Sequence, residues 1–189
     1  MTRTLCLVSV FALAASAASA QGMGQQAPQK ISLASGLQRS YAGVKLNLTE
    51  MAAKMPEADY LFQPTKEVRT YGQLFGHVAN AQFGACSAAK GEANPNQGND
   101  NEKKATKAEF VKALADSFAY CDPVFAALTD ETAVQLVKQG MNEVARGSVL
   151  AGLNAHSNEM YGTGVVYMRL KGMVPPSTER AMQMRRPGE

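Results

Sequence analysis

The sequence predicts an all-α fold, a four-helix bundle in up-down-down-up order. Four stretches place apolar residues at steps of three and four, the spacing that stacks side chains on one helix face, and capping or stop residues bound most of them. No run alternates with period two, no Asn-Gly hairpin signal occurs and no internal repeat appears. At 189 residues and 46% apolar content, the chain is sized for one domain with its own core. The net charge of +3 is scattered rather than gathered on one face, which argues against a nucleic-acid partner.

Residues 1–20 read as a secretory signal peptide: Arg3, an apolar run from Leu5 to Ala15, then Ala18-Ser19-Ala20 as a small-x-small cleavage site. Export to the periplasm or medium is expected, with no membrane span after cleavage. Cys6 leaves with the signal. Residues 21–31 are rich in Gln, Gly and Pro and read as a flexible leader.

The bundle is expected over residues 32–176. Its first helix carries Leu33, Leu37, Tyr41, Val44, Leu48, Met51 and Met55, and Pro56 closes it. The link to Arg69 reads as extended chain that lays Tyr60, Leu61 and Phe62 over the bundle end. Thr70 with Gln73 forms a capping box that opens the second helix, which runs past His77 to a stop at Gly91. Gly91 to Ala105, rich in Asn, Gly and charge, reads as a long surface loop. Thr106 with Glu109 is a second capping box, opening a third helix through Phe110, Leu114, Phe118, Cys121 and Phe125 that Pro123 should kink or shorten. A weakly amphipathic segment follows Thr129. The fourth helix begins near Met141 to Arg146, sets Leu153, His156, Met160, Gly164, Val165 and Met168 on one face, and ends near Lys171 at Gly172 and Pro175-Pro176. Residues 177–189 read as a C-terminal tail, frayed from Met182.

Cys86 and Cys121 remain after signal cleavage, and an even pair in an oxidising compartment favours a disulfide. They also constrain topology. With parallel second and third helices, Cys86 lies roughly 24 Å and Cys121 roughly 21 Å along their axes, whereas antiparallel helices would separate them by on the order of 15 Å in height. A bridge requires Cα atoms within about 7 Å. The long Gly91 to Ala105 loop is what a parallel crossover needs. An antiparallel fourth helix then brings His77 and His156, the only histidines, to similar heights. Two readings of that pair stand side by side: a ligand pair, or core histidines satisfied by each other or by a polar neighbour.

RTYGQLFGHVA, from Arg69 to Ala79, and YMRLKGMVPPS, from Tyr167 to Ser177, resemble the DinB-like (YfiT-type) family of four-helix bundles, especially its exported members. The resemblance implies an up-down-down-up bundle. In many relatives it also implies a divalent metal, nickel or zinc, on three histidines: one from the second helix, two in H-x-x-x-H spacing from the fourth. His77 and His156 match the first two positions, and Met160 stands at the third. A thioether is a poor ligand for a borderline dication, while Cu(I) accepts it. Asn80 and Glu159 are the polar neighbours nearest the ligand face. Glu159, Tyr161, Tyr167 and Arg169 are further polar groups of the fourth helix. The resemblance leaves three functions open: a bundle of undetermined activity holding a metal on a reduced His site, a non-catalytic structural or binding protein that has lost the metal, and a thiol-dependent transferase. A small-molecule ligand and a homodimer are the expected partner classes.

Overall fold

In the computed structural model, residues 28–185 are described, and the predicted signal peptide and most of the leader lie outside them. Six α-helices and one hairpin follow in order: α1 (Leu33–Lys54), α2 (Tyr71–Lys90), α3 (Lys107–Ala126), α4 (Asp130–Ala133), β1 (Leu136–Gln139), β2 (Asn142–Ala145), α5 (Arg146–Leu170) and α6 (Pro176–Met184). The four long helices are the four expected from apolar spacing. Among the described residues no helix is long and apolar enough to cross a membrane.

Local chemistry sets their ends. Thr70 accepts from the Gln73 amide while Gln73 accepts from the Thr70 amide, and Thr106 and Glu109 repeat the exchange. Each pair satisfies two amides that the first turn of a helix leaves without a partner. α2 stops at Gly91, in the left-handed region, and beyond α5 the Met173 amide reaches back to the Met168 carbonyl at 2.9 Å, as in a Schellman ending. Pro123 does not shorten α3 appreciably: the helix continues to Ala126. Only one turn remains after the proline, so little of the ladder is lost.

The order is up-down-down-up. α2 and α3 run parallel, with Phe110 against Gly72 near their starts and Cys86 bridged to Cys121 near their ends, Cα atoms 5.5 Å apart. α1 runs against α3, since Lys45 pairs with Asp122 and Lys107 reaches the Met55 carbonyl. α5 runs against α2: Arg146 holds the Ala89 carbonyl and Tyr167 the Arg69 carbonyl. α1 and α2 lie diagonally, so the link between them crosses the bundle end. It is not simply extended: it holds a short 3-10 turn (Glu57–Asp59), and Tyr60 turns inward while Leu61 faces out. The core is continuous through Tyr41, Leu48, Met51, Tyr71, Phe75 and Met168. Burying each such side chain contributes on the order of 1.5–3 kcal/mol.

Two further expectations are corrected. The segment before the fourth helix contains an antiparallel hairpin, Leu136 opposite Ala145 and Gln139 opposite Asn142. Its strands have four residues and only Val137 is buried, so no period-two pattern is legible. Gly140, at φ 62°, takes the first central position of the two-residue turn, where a II′ connection favours glycine. The stretch after Ser177 is not a tail from its start, because α6 lies on α1: Arg180 contacts Glu50 and Asn47, and Glu179 contacts Lys54. Residues 186–189 lie outside the described residues.

Candidate functional site

The site is built around one turn of α2. At Gly76 an added Cβ would stand 2.3 Å from the Asn101 carbonyl oxygen, so only glycine lets the loop between α2 and α3 lie flat against the helix. Asn80, one turn on, clasps that loop. Its side-chain oxygen accepts from the Asn101 amide at 3.1 Å, from the Asn101 side chain at 2.9 Å and from Asn96 at 3.1 Å, and its NH2 donates to Asp100 at 3.0 Å. The clasp delivers Glu102, from the short 3-10 turn Asn101–Lys103, to His77 on the same stretch of α2.

Glu102 Oε1 lies 2.7 Å from His77 Nδ1. Arg69 Nε donates to Glu102 Oε2 at 2.8 Å, and Arg69 Nη2 to Oε1 at 3.4 Å. Tyr167 of α5 donates to the Arg69 carbonyl at 2.7 Å, fixing the residue just before the α2 cap. Burial alone would raise the Glu102 carboxyl, but hydrogen bonds and charge from Arg69, with His77, outweigh it and hold the group below its ordinary range. Glu102 is therefore a carboxylate near neutral pH and can only accept. Nδ1–H of His77 must donate, and in the neutral ring Nε2 keeps its lone pair free.

His156 on α5 faces His77 with ring centroids 4.9 Å apart and planes tilted by 54°. Its Nδ1 is buried without a hydrogen-bond partner. Burial first, then the neighbouring His77, push this imidazole below its ordinary pKa, with Glu159 opposing, so it is neutral near pH 7. Both rings are half-buried rather than deep in the core. Next to Glu102 and Met160 lies a cavity of about 530 Å³, lined also by Arg69, Gln73, Thr163 and Tyr167, among others, with neither histidine in its wall. Met160, one turn beyond His156, is 9% exposed. The arrangement can offer two imidazole lone pairs, or accept a proton, and the Arg69–Glu102 pair that holds His77 borders a space sized for a small molecule.

The sequence profile of the DinB superfamily matches residues 45–163, a span that holds both histidines and most of three long helices. The chain belongs to the DinB superfamily. Solved structures agree on the fold. A DinB-like protein from Bacillus cereus superposes with a TM-score of 0.62 at 15% identity, covering 75% of this chain and 94% of that one. A DinB-like protein from Bacillus subtilis gives 0.60 at 17%, covering 74% and 94%, and a conserved protein from Enterococcus faecalis gives 0.61 at 16%, covering 75% and 98%. No curated protein matches the sequence.

The three-nitrogen metal centre that the DinB-like resemblance implies does not fit the residues present. Two imidazoles meet, but Met160 holds the third position. Asn80 is committed to the loop, Glu159 is exposed, and both Glu102 oxygens are occupied by His77 and Arg69. Among the described residues no group of three or more His, Cys, Asp or Glu side chains is placed to hold an ion. Tyr161 and Tyr167 are tied to Ser177 and to the Arg69 backbone, and Arg169 is exposed. Sequence reasoning found the histidine pair and Met160 but missed Arg69 and Glu102. The one available signal for Glu102 was an acidic residue in a loop otherwise read as solvated.

Proposed function

We propose that the protein is an exported, YfiT-like member of the DinB superfamily that acts as a small-ligand binding protein. In this reading its His77–His156 pair has lost the resident nickel or zinc of its relatives, and the Arg69–Glu102 pair that holds His77 serves as the polar end of the adjacent cavity. The observation that carries the reading is the donor set: two imidazoles, a thioether in the third place, and the Asn80 and Glu102 oxygens already engaged. A zinc or nickel centre with fewer than three strong protein donors binds weakly. Equilibrium dialysis of the disulfide-intact mature chain against zinc and nickel tests this. Retention far below one ion per chain is expected, together with tight zinc binding in Met160→His, which restores a third nitrogen. A stoichiometric zinc or nickel ion in the wild type, lost in His77→Ala and His156→Ala, would reject the reading. Export is tested by the N-terminus of the secreted protein, expected at Gln21.

A further inference from the structure

A second cavity lies at the other end of α2, roughly 30 Å along the helix from Arg69. It measures about 390 Å³ and sits where α2 and α3 end and α5 begins, and its size is within the range of small-molecule sites. Its floor is apolar: Ala89, Val124 and Leu128 are each at most 9% exposed, with Pro123 and Ala127 beside them. Lys90 and Arg146 complete the lining on its charged side, with Glu92. We propose that this cleft binds a small organic acid, a compact apolar body bearing one carboxylate, with the acid group on Arg146.

Arg146 is the first residue of α5 and is held in one orientation. Its Nε donates to the Ala89 carbonyl at 2.9 Å, and its Nη1 to the Gln135 side-chain oxygen at 2.9 Å and the Thr132 carbonyl at 3.3 Å. Those acceptors are neutral, so they satisfy donors and leave the charge unmatched. Of the three half-buried arginines among the described residues, Arg69 and Arg180 each meet a carboxylate and Arg146 meets none. Its Nη2 makes no hydrogen bond within the described residues and is not sealed from solvent. Glu92 is the one carboxylate on the cleft, and it is paired with Lys90 at 2.6 Å. Two cations against one carboxylate leave the lining net positive. The carbonyls at the ends of α2 and α3 would oppose an anion here, but Arg146 takes the Ala89 oxygen and Gln38 those of Phe125 and Leu128. α5 adds the positive end of a 25-residue helix whose N-cap, Ala145, has no side-chain acceptor. A free inorganic anion would leave the apolar floor in water, whereas an apolar body covers it.

The test is titration of the disulfide-intact mature chain with benzoate, followed by amide NMR, with benzamide as the uncharged analogue and acetate as the acid without a body. A Kd on the order of 1 mM or tighter is expected for so small a probe, with shifts over residues 88–92, 123–128 and 146–149. Benzamide and acetate should each bind at least about tenfold more weakly, the first for want of charge and the second for want of apolar surface. Arg146→Gln should weaken benzoate roughly 10–100-fold. Because Arg146 also ties down the end of α2, Ala127→Phe supplies a variant that leaves it in place. Ala127 is exposed at the end of α3 and lines the cleft, so the larger ring should fill the space and abolish binding with thermal unfolding unchanged. Benzamide bound as tightly as benzoate, unchanged affinity in Arg146→Gln, or no shift at about ten times the expected Kd would overturn the site. So would benzoate shifts confined to residues 67–74, 102 and 160–167, which border the other cavity. None of these outcomes bears on zinc or nickel retention, so this inference and the proposed function fail separately.

Discussion

The seam between α2 and α3 is closed and covalently pinned, whereas the seam between α2 and α5 is propped by two half-buried imidazoles and borders a cavity. On the first side Phe110 lies over Gly72 and Cys86 meets Cys121 with nothing exposed. On the second, His156 has an unpartnered nitrogen and Arg69, Glu102 and His77 form a row of charge and hydrogen bonds. One helix serves both seams. Polar groups at the open seam forgo part of the stabilisation that apolar packing would contribute there, and the closed seam carries the rigidity that keeps them in place.

Breaking the closed side should have the largest effect. The Cys86–Cys121 bridge closes a separation of 35 residues, and its replacement by Cys86→Ala with Cys121→Ala should cost about 3–4 kcal/mol in chemical denaturation. The His77–His156 pair should then lose its register, so any ligand affinity falls with stability. A loss near zero would show that the open seam does not lean on the bridge.

A smaller change probes the loop that joins the two regions. Asn80→Ala strands the Asn101 and Asn96 donors and should cost about 1–3 kcal/mol. The loss should be local: faster amide exchange over residues 96–103, with the α2–α3 seam unaffected. Uniform acceleration across all four long helices would mean that the clasp belongs to the global core and not to the site.

The smallest effect is a pH dependence confined to the open seam. His156 has a folded pKa below its unfolded value of about 6.5. Its contribution to stability is therefore complete above that value and is lost as pH falls through the lower folded one. Glu102, also lowered, adds a second loss that begins below the unfolded carboxylate pKa of about 4.3 and is complete once pH has fallen through its folded value. Urea denaturation across pH 3–8 should show both declines, with His156→Gln removing the upper one and Glu102→Gln the lower. A stability curve through pH 5–7 that His156→Gln leaves unchanged would argue against a neutral, buried imidazole.

The helices were legible because their signals are local. Capping boxes at Thr70–Gln73 and Thr106–Glu109 act within one turn, and apolar spacing acts within two. The hairpin was not legible, since strands of four residues with one buried side chain leave no pattern to read. α6 was missed because what holds it lies outside its own sequence: charge pairing with α1, some 125–130 positions away, and the Tyr161 hydroxyl of α5 on Ser177.

By itself the sequence determined four rods, their ends, and, through two cysteines of matching height, their parallel second and third members. It also set two histidines level with each other, because rise per residue converts position into height once direction is known. Only the tertiary structure decided that Glu102 meets His77 across 25 residues. That contact depends on a loop lying against a glycine and an asparagine of α2, and neither periodicity nor composition encodes where a loop of that kind comes to rest.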